Sequence, residues 1–82
     1  MVESVRNAPR TQKHEELLDH GDTLLRYALS RVGHLQTCED LVQDTLVTAV
    51  SKLEDFAGRS SMRTWLIGIL RHKILDHFRW NK

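Results

Sequence analysis

The sequence predicts an all-α domain, a compact bundle of three or four helices. Three observations carry that expectation. Apolar residues recur at three- and four-residue steps along three long segments, small and flexible residues separate those segments, and strand-like alternation of useful length is absent. With 82 residues, 40% of them hydrophobic and 28% charged, the chain suffices for one modest core and is too apolar for disorder. It contains no internal repeat and no low-complexity tract.

Residues 1–12 include the only proline, Pro9, and show no apolar periodicity, so they read as a mobile N-terminal arm ahead of a domain spanning 13–82. From Lys13 onward, Leu17, Gly21, Leu24, Leu25, Ala28, Leu29 and Val32 fall on one face of a helix, and Gly33 is a suitable stop. Gly21 weakens the middle of this helix, permits a close helix contact, or divides the helix in two.

After a turn over 33–37, Thr37 is the candidate N-cap of a second helix. Glu39 and Asp40 then lie in its first turn, where carboxylates favour the helix dipole. This helix is expected to run to Lys52 or Glu54, with Leu41, Val42, Leu46, Ala49, Val50 and Leu53 inward and Asp40, Asp44, Val47 and Ser51 outward. Residues 56–61 have loop composition, and Ser60 or Ser61 can cap a third helix over 62–79. Leu66, Ile67, Ile69, Leu70, Ile74, Leu75 and Phe78 make that helix apolar around most of its circumference, so it must pack against both others. Its polar stripe is narrow: Trp65, Gly68, His72, Asp76 and Arg79, flanked by Arg71 and Lys73.

Several function classes find no support. The chain has no run of eighteen apolar residues and no signal-peptide pattern at its start, which makes it cytoplasmic by expectation, with no membrane partner. Cys38 is the only cysteine, cannot form an internal disulfide, and is expected to be a small buried or half-buried thiol. His72 and His77 are five apart, about 140° around a helix, and cannot jointly clamp a metal; His14, His20 and His34 lack partners at ligand spacing. A nucleophile elbow, a Walker motif and a dinucleotide fingerprint are all missing, so neither catalysis nor a cofactor is expected.

Charge distribution is more informative than the net charge of +1. Over 39–55 the charged residues are Glu39, Asp40, Asp44, Glu54 and Asp55 against Lys52 alone. From Arg59 onward they are Arg59, Arg63, Arg71, Lys73, Arg79 and Lys82 against Asp76 alone. An acidic segment followed by a basic one suits a module with two partners, a basic protein surface and a polyanion. In the basic third, cations neutralise phosphates while aromatic rings and a small-residue loop can receive unstacked bases. Trp65, at the start of an apolar helix, is expected to be a core anchor, whereas the pattern leaves Trp80 undecided.

The stretch EDLVQDTLVTAVSK over 39–52, continued by LEDFAGRSSMRTWLIGILRHKILDHFR, resembles region 2 of the extracytoplasmic-function (ECF) sigma factors of the sigma-70 family. The resemblance covers about residues 17–79 and is carried by the order and spacing of ED, LVQD, the F, G, S and TWL positions, and the terminal D and R. It implies the sigma-factor region 2 bundle and a function in transcription initiation. The implied polymerase-binding residues are Asp40, Gln43, Asp44 and Val47, docking on the clamp helices of the largest subunit of core RNA polymerase. Three of these lie on the outward face derived above, where an apolar residue among carboxylates can bury while the charges set register.

The resemblance likewise implies that the loop and third helix recognise the promoter minus-10 element, with a base of the nontemplate strand flipped into a pocket so that melting and recognition are one event. Candidate DNA-binding residues are Phe56, Gly58, Arg59, Ser60, Ser61, Arg63, Thr64, Ile67, Arg71 and His72. Two positions depart from the family pattern, since many members carry an aromatic residue at Ile67 and an asparagine at His72. His72 can still donate or accept a hydrogen bond, or pair with Asp76 one turn on.

Complete family members continue into a second helical domain that reads the minus-35 element, so the chain reads as an isolated or truncated domain. An anti-sigma factor is the further partner the family implies. The alternative is a sigma-like decoy that binds an anti-sigma factor without promoter DNA; Arg59, Arg63, Arg71 and Lys73 argue against it.

Overall fold

The computed structural model describes the backbone of residues 9–80 and the side chains of residues 13–80. Four α-helices follow one another: α1 (Pro9–Asp19), α2 (Gly21–Arg31), α3 (Leu35–Ser51) and α4 (Met62–Trp80), with a 3₁₀ turn (Leu53–Asp55) after α3. Among the described residues there is no strand. The described part of α1 starts at Pro9. Residues 1–8 of the expected arm lie outside the described residues.

The apolar pattern over 17–32 resolves into two helices. His20 breaks them, with φ −94° and ψ 3°. Its N–H donates to the Leu17 carbonyl at 3.2 Å, and its own carbonyl accepts from Leu24 N–H at 3.0 Å, so little hydrogen bonding is lost at the corner. Gly33 takes φ +82°, the left-handed conformation that ends α2.

The start of α3 corrects one expectation. His34, extended at φ −108° and ψ 115°, is the N-cap, and its Nδ1 accepts from Thr37 N–H at 3.4 Å. Thr37 is therefore the residue being capped. At the start of α4 the cap is Ser61, whose Oγ accepts from Thr64 N–H at 3.1 Å.

Eleven apolar residues form the core: Leu17 of α1, Leu24 and Ala28 of α2, Cys38, Val42 and Ala49 of α3, Leu53, and Met62, Leu66, Leu70 and Ile74 of α4. On α4 they form one row at four-residue spacing, facing both α2 and α3 as its apolar character requires. On α3 the buried row is Cys38, Val42, Thr45 and Ala49. Thr45 was not foreseen as a core residue, and its hydroxyl is satisfied by donating to the Leu41 carbonyl at 2.8 Å.

Val50 lies about 100° beyond Ala49 around the helix and is 46% exposed, so it does not join the inner face expected of it. Leu75 and Phe78 are likewise exposed, at 52% and 47%, because the row ending in Ile74 takes the core side of α4. Trp80 is also exposed. Among the described residues no helix is long and apolar enough to cross a membrane.

Candidate docking and nucleic-acid interfaces

The outward side of α3 carries the four residues expected to meet polymerase. Asp40, Asp44 and Val47 follow at four- and three-residue steps, and Gln43 lies between Asp40 and Val47, so all four project from one side. All are exposed, Val47 at 64%. Gln36 Nε2 donates to Asp40 Oδ1 at 3.2 Å, orienting that carboxylate. Val47 is thus an exposed apolar side chain set among acidic and polar ones.

Asp44 stands at the edge of this patch nearest α4. The two helices run antiparallel, since Thr37, Asp40, Leu41 and Asp44 share a cleft with His77, whereas Thr48 and Lys52 share another with Ile69 and His72. Between the two clefts, Lys73 Nζ lies 3.2 Å from Asp44 Oδ2. The sequence places Lys73 beside the polar stripe and among the basic residues that favour a polyanion, but nothing in a linear charge pattern pairs it with a residue 29 positions earlier.

The second candidate surface begins where α3 ends. The 3₁₀ turn closes with Phe56 N–H donating to the Leu53 carbonyl at 3.1 Å, and Leu53 is buried, so the loop that follows departs from an anchored point. Gly58, at φ +74°, provides the left-handed turn that brings the loop back toward α4. There the Phe56 ring stacks on Trp65, with centroids 4.8 Å apart and planes 29° apart. An open cleft of about 380 Å³ results, lined by Asp55, Phe56, Ala57, Arg59, Ser60 and Trp65.

Three of the ten expected DNA-contacting residues, Phe56, Arg59 and Ser60, thus line one cleft, and Gly58 shapes it. Ser61 and Thr64 do not line it; besides capping α4, Ser61 Oγ donates to Thr64 Oγ1 at 3.0 Å. Trp65 was expected in the core. It packs against the core and is half-buried, and it also forms a wall of the cleft, a dual placement that helical periodicity alone does not reveal.

The remaining candidates divide between two flanks of α4. Arg63, Ile67 and Arg71 follow at four-residue steps on one flank, with both arginines exposed and Ile67 half-buried against the core. His72 lies on the opposite flank, lining the α3–α4 cleft with Asp76, and no hydrogen bond or ion pair joins the two. One residue of α4 turns about 100°, so Arg71 and His72, adjacent in sequence, project in different directions.

Residues 17–82 match the family model for sigma-70 region 2. The chain belongs to that family. RNA polymerase sigma factor YlaC of Bacillus subtilis is 45% identical to it over 56 residues, which is 68% of this chain and 32% of the relative. ECF RNA polymerase sigma factor SigC of Mycobacterium tuberculosis is 45% identical over 51 residues, 62% of this chain and 26% of the relative. ECF RNA polymerase sigma factor SigX of Bacillus subtilis is 44% identical over 56 residues, 68% of this chain and 29% of the relative. The matched part of the chain spans about a third or less of the length of these relatives. No solved structure matches significantly.

Proposed function

We propose that this domain is the promoter-recognition module of an RNA polymerase sigma factor, docking on core polymerase and capturing melted minus-10 DNA. The observation that carries the proposal is the aromatic-walled cleft at the N-terminal end of α4, edged by Arg59 and Ser60, in a chain of the sigma-70 region 2 family. An unpaired base entering it meets the Phe56 and Trp65 rings, and base–aromatic contact contributes about 1–3 kcal/mol. Arg59 supplies positive charge for a phosphate, and the Ser60 hydroxyl a hydrogen-bond partner for a base edge. Capture of a flipped nontemplate base offsets the stacking lost on melting, so recognition and strand opening become one equilibrium.

In this reading Asp40, Gln43, Asp44 and Val47 meet the basic clamp helices of the largest polymerase subunit. The carboxylates steer and orient the encounter while Val47 is buried by it. The domain performs no bond chemistry; nucleotidyl transfer belongs to the polymerase. Its setting is the bacterial cytoplasm, and an anti-sigma factor covering the same surfaces would restrain it.

The test is binding of a fluorescently labelled single-stranded minus-10 oligonucleotide, and separately of core polymerase, to the wild-type chain, Arg71→Ala and Asp44→Ala. Arg71→Ala should weaken oligonucleotide binding and its salt dependence, and Asp44→Ala should weaken polymerase binding. Absence of polymerase binding by the wild type would overturn the proposal.

A further inference from the structure

The ion pair between Lys73 and Asp44 links the acidic side of α3 to the α3–α4 cleft that His72 also lines. On one side Asp44 belongs to the acidic patch of α3. On the other, Lys73 lines the α3–α4 cleft together with Lys52, His72 and Asp76, so two ammonium groups and an imidazole share that cleft with one carboxylate. The Lys73 side chain is 26% exposed and that of Asp44 59% exposed. The lysine stem therefore packs between the helices while its ammonium reaches the surface, free to turn about its own χ angles.

We propose that Lys73 is a further nucleic-acid-binding residue, held in reserve by Asp44 and released to a backbone phosphate when a cation of the docking partner takes the Asp44 carboxylate. The proposal rests on the sigma-factor reading above. In the free domain one carboxylate neutralises the ammonium, so a phosphate at the cleft must compete with Asp44 for it. Once a basic partner engages Asp44, that competition falls away, and Lys73 joins Lys52 and His72 toward the polyanion. Linkage makes the effect reciprocal: nucleic acid on Lys73 frees Asp44 for the basic partner by the same factor. The pair is exposed enough for exchange to be easy, and a pair of this kind corresponds to about a twofold to fivefold change in affinity.

The test measures binding of a fluorescent single-stranded oligonucleotide to the whole chain, without polymerase, for the wild type, Asp44→Asn, Asp40→Asn, Lys73→Met and the double variant Asp44→Asn/Lys73→Met. Asparagine keeps the shape of the carboxylate while releasing the lysine. Asp40→Asn removes the same charge one turn away and reports the general electrostatic gain. Methionine retains the apolar stem of Lys73 without its ammonium. Asp44→Asn is expected to raise affinity about twofold to fivefold beyond Asp40→Asn, and to lose that excess in the Lys73→Met background.

An equal effect of Asp44→Asn and Asp40→Asn, or an excess that survives Lys73→Met, would overturn the coupling and leave the sigma-factor reading standing. Failure of every variant, wild type included, to bind the oligonucleotide would overturn both.

Discussion

Phe56 lies against Trp65 at a centroid separation of 4.8 Å, so a ring pair fastens the start of the loop leaving α3 to the first turn of α4. Phe56→Leu should therefore loosen the loop without emptying the core. The expected loss is about 0.5–1.5 kcal/mol of stability, the worth of such an aromatic pair. Urea denaturation followed by Trp65 fluorescence in a Trp80→Phe background measures it. The same variant should weaken binding of the single-stranded oligonucleotide, and unchanged affinity would remove Phe56 from the cleft's function.

The Ser61 hydroxyl joins the loop to α4 by accepting from Thr64 N–H at 3.1 Å. Ser61→Ala should cost about 1 kcal/mol in thermal or denaturant unfolding, and Ser61→Asp should recover most of it, because aspartate caps as well and favours the helix N-terminus. A Ser61→Asp variant as unstable as Ser61→Ala would show that the hydroxyl matters through Thr64 Oγ1 instead.

Arg71 is exposed and makes no packing contribution to the core. Arg71→Ala should leave stability within about 0.5 kcal/mol of wild type. If the arginine meets a phosphate, the slope of log affinity against log salt should fall by about 0.7, the value for one single-strand contact. Isothermal titration at three salt concentrations decides it, and an unaltered slope would place Arg71 away from the backbone.

Val47 is 64% exposed on the acidic side of α3. Val47→Asp should leave unfolding nearly unchanged while weakening association with core polymerase by tenfold or more, since burying most of a valine contributes about 1–2 kcal/mol and a buried carboxylate adds a penalty. Surface-immobilised polymerase provides the measurement.

Thr45 is buried, yet its hydroxyl donates within its own helix to the Leu41 carbonyl. Thr45→Val keeps the shape and removes a donor and a secondary acceptor contact together, so the change in stability should stay below about 1 kcal/mol. Thr45→Ser keeps the hydrogen bond but removes a methyl group from the core and should cost about 1 kcal/mol. The opposite order in denaturant unfolding would mean that the hydroxyl, not the methyl group, holds that site.

Much of the fold was legible in the chain because helical periodicity is a local property. Leu17, Leu24, Ala28, Val42, Leu66 and Leu70 repeat at helical spacing, and each is buried as that spacing implies. Val50, Leu75 and Phe78 were misplaced for one reason: where a helix is apolar around much of its circumference, periodicity cannot say which row its neighbours cover. The cap of α3 was misread because histidine lies outside the usual capping set, while Thr37, three residues on, belongs to it.

For the candidate site the boundary falls similarly. The sequence alone determined an acidic helix face with Val47 in its midst, a small-residue loop, and a basic final helix, since each follows from residue type and spacing along one segment. Only the tertiary structure decided that Phe56 and Trp65 make a common wall, that His72 lines the cleft between α3 and α4, and that the acidic face and the basic helix meet at Asp44 and Lys73. Those relationships depend on the antiparallel register of α3 and α4. That register is set by how their buried rows interlock across the core, a contact between distant segments that no local pattern encodes.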